Sequence, residues 1–429
     1  MARFIVLWLG QMVSLIGSGL TTFALGLWVY QHTGSIAKFA FIAGFAVLPN
    51  VLIAPIAGAL VDRWNRRTIM IYSDGVSAIS VLLLCFLFFT HRLSLWHIYP
   101  LVVLNSMGTV FRLPSYMALL SQLVPPEQIG RATGMMQMGP ASAQLFSPFI
   151  AAILIANTGY TGVVLADLLT FAFSVLTLVI IKVPDLASKP PARRSLLSEA
   201  AQGWRYIMDQ PELKILLLLF IMLNITFSFY QALITPVILG FTNSSALGFI
   251  LSTGGIGLVL GSLLLSVWGG PKKRINGLLG FGFLYSIGLL VSGLRPSTVL
   301  VTVAVFLTLF SVPFINGCNQ MIWQSKTAMH VQGRVFAIRT MIGWSSSPVA
   351  FFLAGPLADR FFEPALAIHG RLAGSWLNVI GVGKGRGAAL LLVLSGLLSL
   401  IVTMVSWFSQ ALQSIEESIP YRTASASGG

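Results

Sequence analysis

The sequence predicts an all-α polytopic membrane protein: twelve transmembrane helices in two pseudo-symmetric six-helix halves, with both termini cytoplasmic. Three observations predict it. Of 429 residues, 56% are hydrophobic and only 9% charged, and mean hydropathy is +0.87. A soluble protein carries about 25% charged residues, so too few polar groups remain to cover a water-soluble fold of this size. Apolar runs of ~20 residues recur, each long enough to cross ~30 Å of hydrocarbon. The longest polar stretch inside the chain then divides those runs six and six. A soluble enzyme, a secreted disulfide scaffold and a disordered chain are excluded. A β-barrel is disfavoured, because it would show alternating segments of ~10 residues.

The spans run at about 4–30, 36–61, 68–90, 97–123, 132–156, 162–181, 213–239, 247–268, 276–294, 299–323, 336–357 and 388–409. The first has a signal-like start, but it continues to about Tyr30 without an Ala-x-Ala-like cleavage site and reads as an uncleaved span. Turn-forming residues punctuate the rest, among them Thr33-Gly34-Ser35, Asn157-Thr158-Gly159, Gly269-Gly270-Pro271 and Arg295-Pro296-Ser297. The net charge of +14 would suggest nucleic acid in a soluble chain. Here it orients the helices: with the N-terminus inside, 18 of the 26 Lys and Arg fall on the cytoplasmic side, 7 outside, and Arg112 within a span. No nucleic-acid partner is expected. Cys85 and Cys318 sit in apolar runs and read as small buried hydrophobes.

Four segments follow. Residues 1–182 form the N-terminal half, 183–212 a cytoplasmic linker, 213–410 the C-terminal half and 411–429 a cytoplasmic tail. Within the linker, Leu196, Leu197, Ala200, Ala201, Trp204, Ile207 and Met208 repeat at helical spacing. That pattern predicts an amphipathic helix on the inner membrane surface. Gly130-Arg131 and Gly333-Arg334 open the fifth and eleventh spans, and Ser147-Pro148 and Ser347-Pro348 follow inside them. Offsets of about half the chain point to duplication.

The most specific local pattern follows the second span: Gly58-Ala59-Leu60-Val61-Asp62-Arg63-Trp64-Asn65-Arg66-Arg67. It resembles the G-x-L-x-D-R-x-x-R-[RK] signature of the major facilitator superfamily. Leu7 to Gln11, Tyr30 to Ser35, Phe111-Arg112-Leu113-Pro114, Asp167 to Phe171 and Gly269 to Arg274 are similar to its bacterial exporters of the macrolide-efflux and enterobactin-exporter type. There are two departures. Such proteins often carry an Arg one turn after the Asp of the third span, but Ser77 stands there. The second-half copy of the signature keeps its bases and loses its Asp. The resemblance implies a gating motif at Gly58, Asp62, Arg63, Arg66 and Arg67. Asp62 would face the positive N-terminal end of span eleven and favour a closed cytoplasmic gate.

Three ionisable residues sit at membrane depth, where an unpaired charge is costly: Arg112 in span four, Asp74 in span three and Asp167 in span six. Arg112 reads either as a structural Arg on helix ends or, through the resemblance, as the span-four Arg of proton coupling, with Asp74 its nearest partner by depth. A structural role suits Asp167 better than transport. The resemblance also implies that spans one, four, seven and ten line a central cavity. Gln11, Ser14, Ser18 and Thr21 would then face the substrate with Asn224, Phe227, Tyr230, Gln231, Asn316, Asn319 and Gln320. Aromatics beside uncharged amides suit a bulky, mostly apolar molecule. The alternative for each is ordinary hydrogen bonding between helices.

Gly381 to Gly387 imitates a nucleotide loop, but no strand precedes it and its Lys is followed by Gly. The histidines show no metal spacing, no nucleophile–base pair is present, and no cofactor or metal is expected. Gly257-x-x-x-Gly261 reads as a close helix-packing face. The expectation is a monomeric secondary transporter of the bacterial plasma (inner) membrane. It would export amphiphilic drugs, siderophores or peptide-like products by proton antiport, its partners being the substrate, protons and the bilayer. A lysophospholipid translocase or a nutrient importer on the same fold is the alternative, and a membrane enzyme or sensor is less favoured.

Overall fold

The computed structural model describes all residues except 1, 62–65, 126–127, 182–195, 328–330, 367–379, 381–382 and 417–429. Among the described residues there is no strand. The helices are α1 (Ala2–Thr33), α2 (Ile36–Val61), α3 (Arg66–Phe89), α4 (Leu95–Leu123), α5 (Ile129–Ile180), α6 (Leu196–Met208), α7 (Pro211–Leu239), α8 (Ser244–Trp268), α9 (Arg274–Leu294), α10 (Thr298–Lys326), α11 (Gln332–Leu357), α12 (Arg386–Trp407) and α13 (Gln410–Gln413). Helix α11 continues through a π-helical turn, Ala358–Phe362, to Ala365.

Among the described residues, ten helical stretches are long and apolar enough to cross a membrane. One of them, Met138–Ile180, spans 43 residues and serves as two. It breaks at Gly159, whose φ of 70° and ψ of −172° interrupt the helix. That is the turn anticipated at Asn157-Thr158-Gly159, and it separates the fifth span from the sixth. Helix α4 completes the twelve, its hydropathy lowered by His97, Asn105 and Arg112. The bundle offers lipid a largely apolar exterior, with Phe86, Phe89, Leu169, Val267, Val299 and Val405 all more than half exposed.

The chain divides into two compact units, residues 1–191 with 243–255 and residues 192–242 with 256–429. In unit 1, α1 lies along both limbs of α5, and α4 packs on α2 and α3. Small residues let the backbones approach, as expected where lipid supplies no hydrophobic drive between helices. A Cβ on Gly17 would stand 2.8 Å from Asp167 Oδ1, and one on Gly248 would stand 3.0 Å from the Pro148 carbonyl. The latter contact brings the start of α8 into this unit.

In unit 2, α9 packs on α10 and α12, and α7 on α11 and α12. The α7 arrangement repeats that of α1 with the two limbs of α5, as duplication predicts. A Cβ on Gly257 would stand 2.6 Å from the Phe306 carbonyl, and one on Gly261 would crowd that of Phe310, so this pair is a close packing face. The linker helix α6 is docked on protein rather than lying on the membrane surface alone. Ile207 is fully buried, Gln202 Oε1 accepts from Arg334 Nη1 at 2.7 Å, and Tyr206 donates to the Lys326 carbonyl at 3.0 Å. Trp204 stays exposed.

Candidate functional site

The site in unit 1 begins with serines. Ser77 and Ser80 of α3 donate to the backbone carbonyls of Asn105 and Leu101 on α4, at 3.4 and 2.7 Å. The numbering falls on one helix as it rises on the other, so the pair runs antiparallel. At Gly108 the helices come closest: a Cβ there would be 2.8 Å from the Ser73 carbonyl and 2.6 Å from Ser77 Oγ. This explains Ser77, which is fully buried at the contact, where a long side chain has no room.

One turn beyond Gly108, Arg112 meets Asp74. Its Nε donates to Asp74 Oδ1 at 3.0 Å, and its Nη2 lies 2.9 Å from the same oxygen. The other carboxylate oxygen accepts from Gln11 Nε2 of α1 at 3.2 Å and from Ser174 Oγ of α5 at 3.0 Å. Gln11 also donates to Ser174, at 2.8 Å. Phe171 covers the guanidinium, its ring centroid 5.7 Å away. Asp74 is wholly buried and Arg112 is 7% exposed. Four helical segments thus converge on one carboxylate, and every partner but Arg112 is neutral. Such a pair tolerates its burial because both oxygens are satisfied, and removing either charge strands the other.

Asp167, in the same limb of α5, is 1% exposed. Its Oδ1 accepts a long bond from Thr170 at 3.4 Å, while its Oδ2 is buried without a hydrogen-bond donor among the described residues.

The residues expected to face substrate separate into two groups. Ser18, Asn224 and Phe227 are half-buried, and Gln231 and Asn316 are exposed. Gln11 and Tyr230 are enclosed, at 1% and 3% exposure. Gln11 turns to Asp74. Tyr230 turns inward with its ring stacked on Phe227, centroids 6.0 Å apart. Asn319 is fully buried, and neither of its amide atoms has a partner among the described residues. Of the gating motif, Gly58 lies in α2 and Arg66 and Arg67 open α3, while Asp62 and Arg63 lie outside the described residues.

Sequence reasoning missed one residue. Arg339 of α11, one of the 18 basic residues counted on the cytoplasmic side, is 7% exposed. Its Nη1 donates to Gln320 Oε1 at 2.7 Å, and its guanidinium lies 5.1 Å from the Phe220 ring centroid and 5.4 Å from that of Trp323. The signal was available, since Arg339 stands inside the expected span 336–357.

Twelve spans in two similarly built six-helix sets, with a charge pair at membrane depth in the first, define a polytopic transporter. The model of the Major Facilitator Superfamily matches residues 7–351, and the chain belongs to that family. It is 27% identical over 363 residues to macrolide efflux protein A of Streptococcus pyogenes, covering 83% of this chain and 90% of that protein. It is 26% identical over 356 residues to the multidrug efflux pump Tap of Mycolicibacterium fortuitum, covering 80% and 86%. Among solved structures, a bacterial homolog of the human lysosomal transporter Spinster, in an inward-facing and unoccupied conformation, superposes with TM-score 0.72. It is 14% identical, with 97% of each chain covered. The nucleoside transporter NupG also gives 0.72, at 11% identity, covering 96% of this chain and all of that one. These structures share the fold. The protein is a multi-pass component of the bacterial plasma membrane.

Proposed function

We propose that this transporter exports amphiphilic small molecules, drugs of the macrolide kind among them, by proton antiport and alternating access. The observation that carries the reading is the buried Arg112–Asp74 pair. An antiporter needs a group that exchanges a proton during the cycle. Arg112 stays charged at any accessible pH, so the exchange falls to the carboxylate it holds. Asp74 is buried, paired and bonded by Gln11 and Ser174, four contacts that a helix displacement can break together. Efflux relatives covering most of the chain support export over import.

Asp62 and the bases around it act in the same cycle as the cytoplasmic gate. The accessible residues Asn224, Phe227, Gln231 and Asn316 of unit 2 supply polar handles and an aromatic ring for the substrate.

Inverted membrane vesicles containing the protein test the proposal with radiolabelled erythromycin. Accumulation is expected only when the vesicle interior is acid, and a protonophore abolishes it. Accumulation driven equally well by an alkaline interior overturns the antiport direction. Uptake into right-side-out vesicles down the gradient supports an importer instead.

A further inference from the structure

We propose that the Arg339 cluster of unit 2 is a binding site for a compact anionic group: a carboxylate, sulfonate or phosphate. The charge is buried and makes no ion pair among the described residues. Neither α10 nor α11 contains an Asp or Glu, and α7 carries only Glu212, eight residues before Phe220. The contacts that hold Arg339 are all neutral: the Gln320 amide oxygen and the faces of Phe220 and Trp323. This is the opposite of Arg112, whose equally buried guanidinium has Asp74.

Donors are left over beside it. Arg339 Nε and Trp323 Nε1 are both buried without an acceptor among the described residues, and so is the amide of Asn319. Asn319 and Trp323 lie one turn apart on the same face of α10. A buried N–H without an acceptor is costly. A group that brings several oxygens and a negative charge satisfies the donors and the guanidinium at once. The planar, rigid donor set of Arg suits oxyanions in particular. The Phe220 and Trp323 rings hold the guanidinium by face-directed cation–π contacts. The site stands independently of transport direction, so failure of the antiport reading would leave it in place.

The test uses the full-length protein in phosphatidylcholine nanodiscs and two probes with one ring system. 1-Anilinonaphthalene-8-sulfonate carries the anion, and N-phenyl-1-naphthylamine lacks it. The readout is the ratio of their affinities, which cancels the apolar contribution. Arg339→Gln is expected to lower the ratio at least tenfold. Trp323→Phe, which keeps the ring and removes only the N–H, is expected to lower it about threefold, and it keeps the test open if Arg339→Gln fails to fold. Displacement of the sulfonate by phosphatidylglycerol in wild type alone assigns the site to lipid headgroups. Displacement by inorganic phosphate without phosphatidylglycerol competition assigns it to soluble anions. A ratio within twofold of wild type in the folded variants overturns the proposal.

Discussion

Arg112 and Asp74 stand 38 residues apart in sequence, and Arg112 Nη2 lies 2.9 Å from Asp74 Oδ1. Two neighbouring helices each contribute one charge at membrane depth, and the pair replaces the intrahelical arrangement that an Arg at position 77 would have allowed. What brings the charges together is a close approach of backbones, and the first prediction concerns that approach.

Gly108→Ala places a methyl group 2.8 Å from the Ser73 carbonyl and 2.6 Å from Ser77 Oγ. Neither the backbone nor a fully buried serine can retreat, so α4 must move off α3. Overpacking of this kind costs about 1–3 kcal/mol, and the shift separates Arg112 from Asp74. A lower melting temperature in detergent and loss of gradient-driven uptake are expected together. A variant that melts and transports like wild type would show that the contact is slack.

Gly159→Ala addresses the turn between the fifth and sixth spans. No atom lies within 4 Å of a Cβ built there, so the only penalty is the backbone conformation. With φ at 70° and ψ at −172° the residue occupies a region nearly restricted to glycine. Such strain costs about 1–3 kcal/mol. Reduced thermal stability is expected with little change in the substrate KM of the folded fraction. A melting temperature equal to wild type would contradict the assignment of the break to Gly159.

Arg112→Ala removes the charge that, among the described residues, compensates a fully buried carboxylate. Gradient-driven export is expected to fall to background, and Arg112→Lys is not expected to restore it, because one ammonium cannot reproduce the Nε and Nη2 approach. Vesicle uptake compared at matched protein level checks this, and substantial rescue by Lys would reduce the site to a simple charge requirement.

Local chemistry made the helices readable. Apolar runs and the residues that end them are properties of a few neighbours in sequence, so the break at Gly159 could be placed without a structure. Asp74 and Arg112 stood out because charges are rare at that depth, although their adjacency came from the resemblance rather than from spacing. Gln11 and Ser174 were not legible as partners of Asp74: amides and hydroxyls occur on every helix face, and only the rotation of each helix decides which face is enclosed. The same rotation turned Tyr230 inward while leaving Asn224, Phe227 and Gln231 accessible. Arg339 was missed because a cation near a span's end looks like a loop residue, and the aromatic pair that encloses it comes from α7 and α10.

Asp62→Asn is expected to slow cycling more than it weakens substrate binding, because its proposed role is to hold the cytoplasmic gate. Turnover should fall several-fold while the equilibrium affinity for substrate stays within about twofold. Wild-type transport by a variant expressed at normal level would falsify the gate role.

Asp74→Asn tests the proton carrier itself. The amide is close in shape to the carboxylate, and its oxygen can still accept from Gln11 or Ser174, so the fold around it is retained better than with Ala. Arg112 loses its counterion but keeps the Phe171 face. Substrate binding is therefore expected to persist, while transport loses its dependence on an imposed pH gradient and proceeds only down the substrate gradient. Asp167→Asn serves as the comparison. It neutralises the other buried carboxylate of unit 1, which makes no ion pair among the described residues, and it should leave the gradient dependence in place. Uptake into inverted vesicles across a series of imposed gradients reads both variants. If Asp74→Asn follows the gradient as wild type does and Asp167→Asn does not, the proton travels on Asp167, and the Arg112–Asp74 pair is a structural tie between α3 and α4.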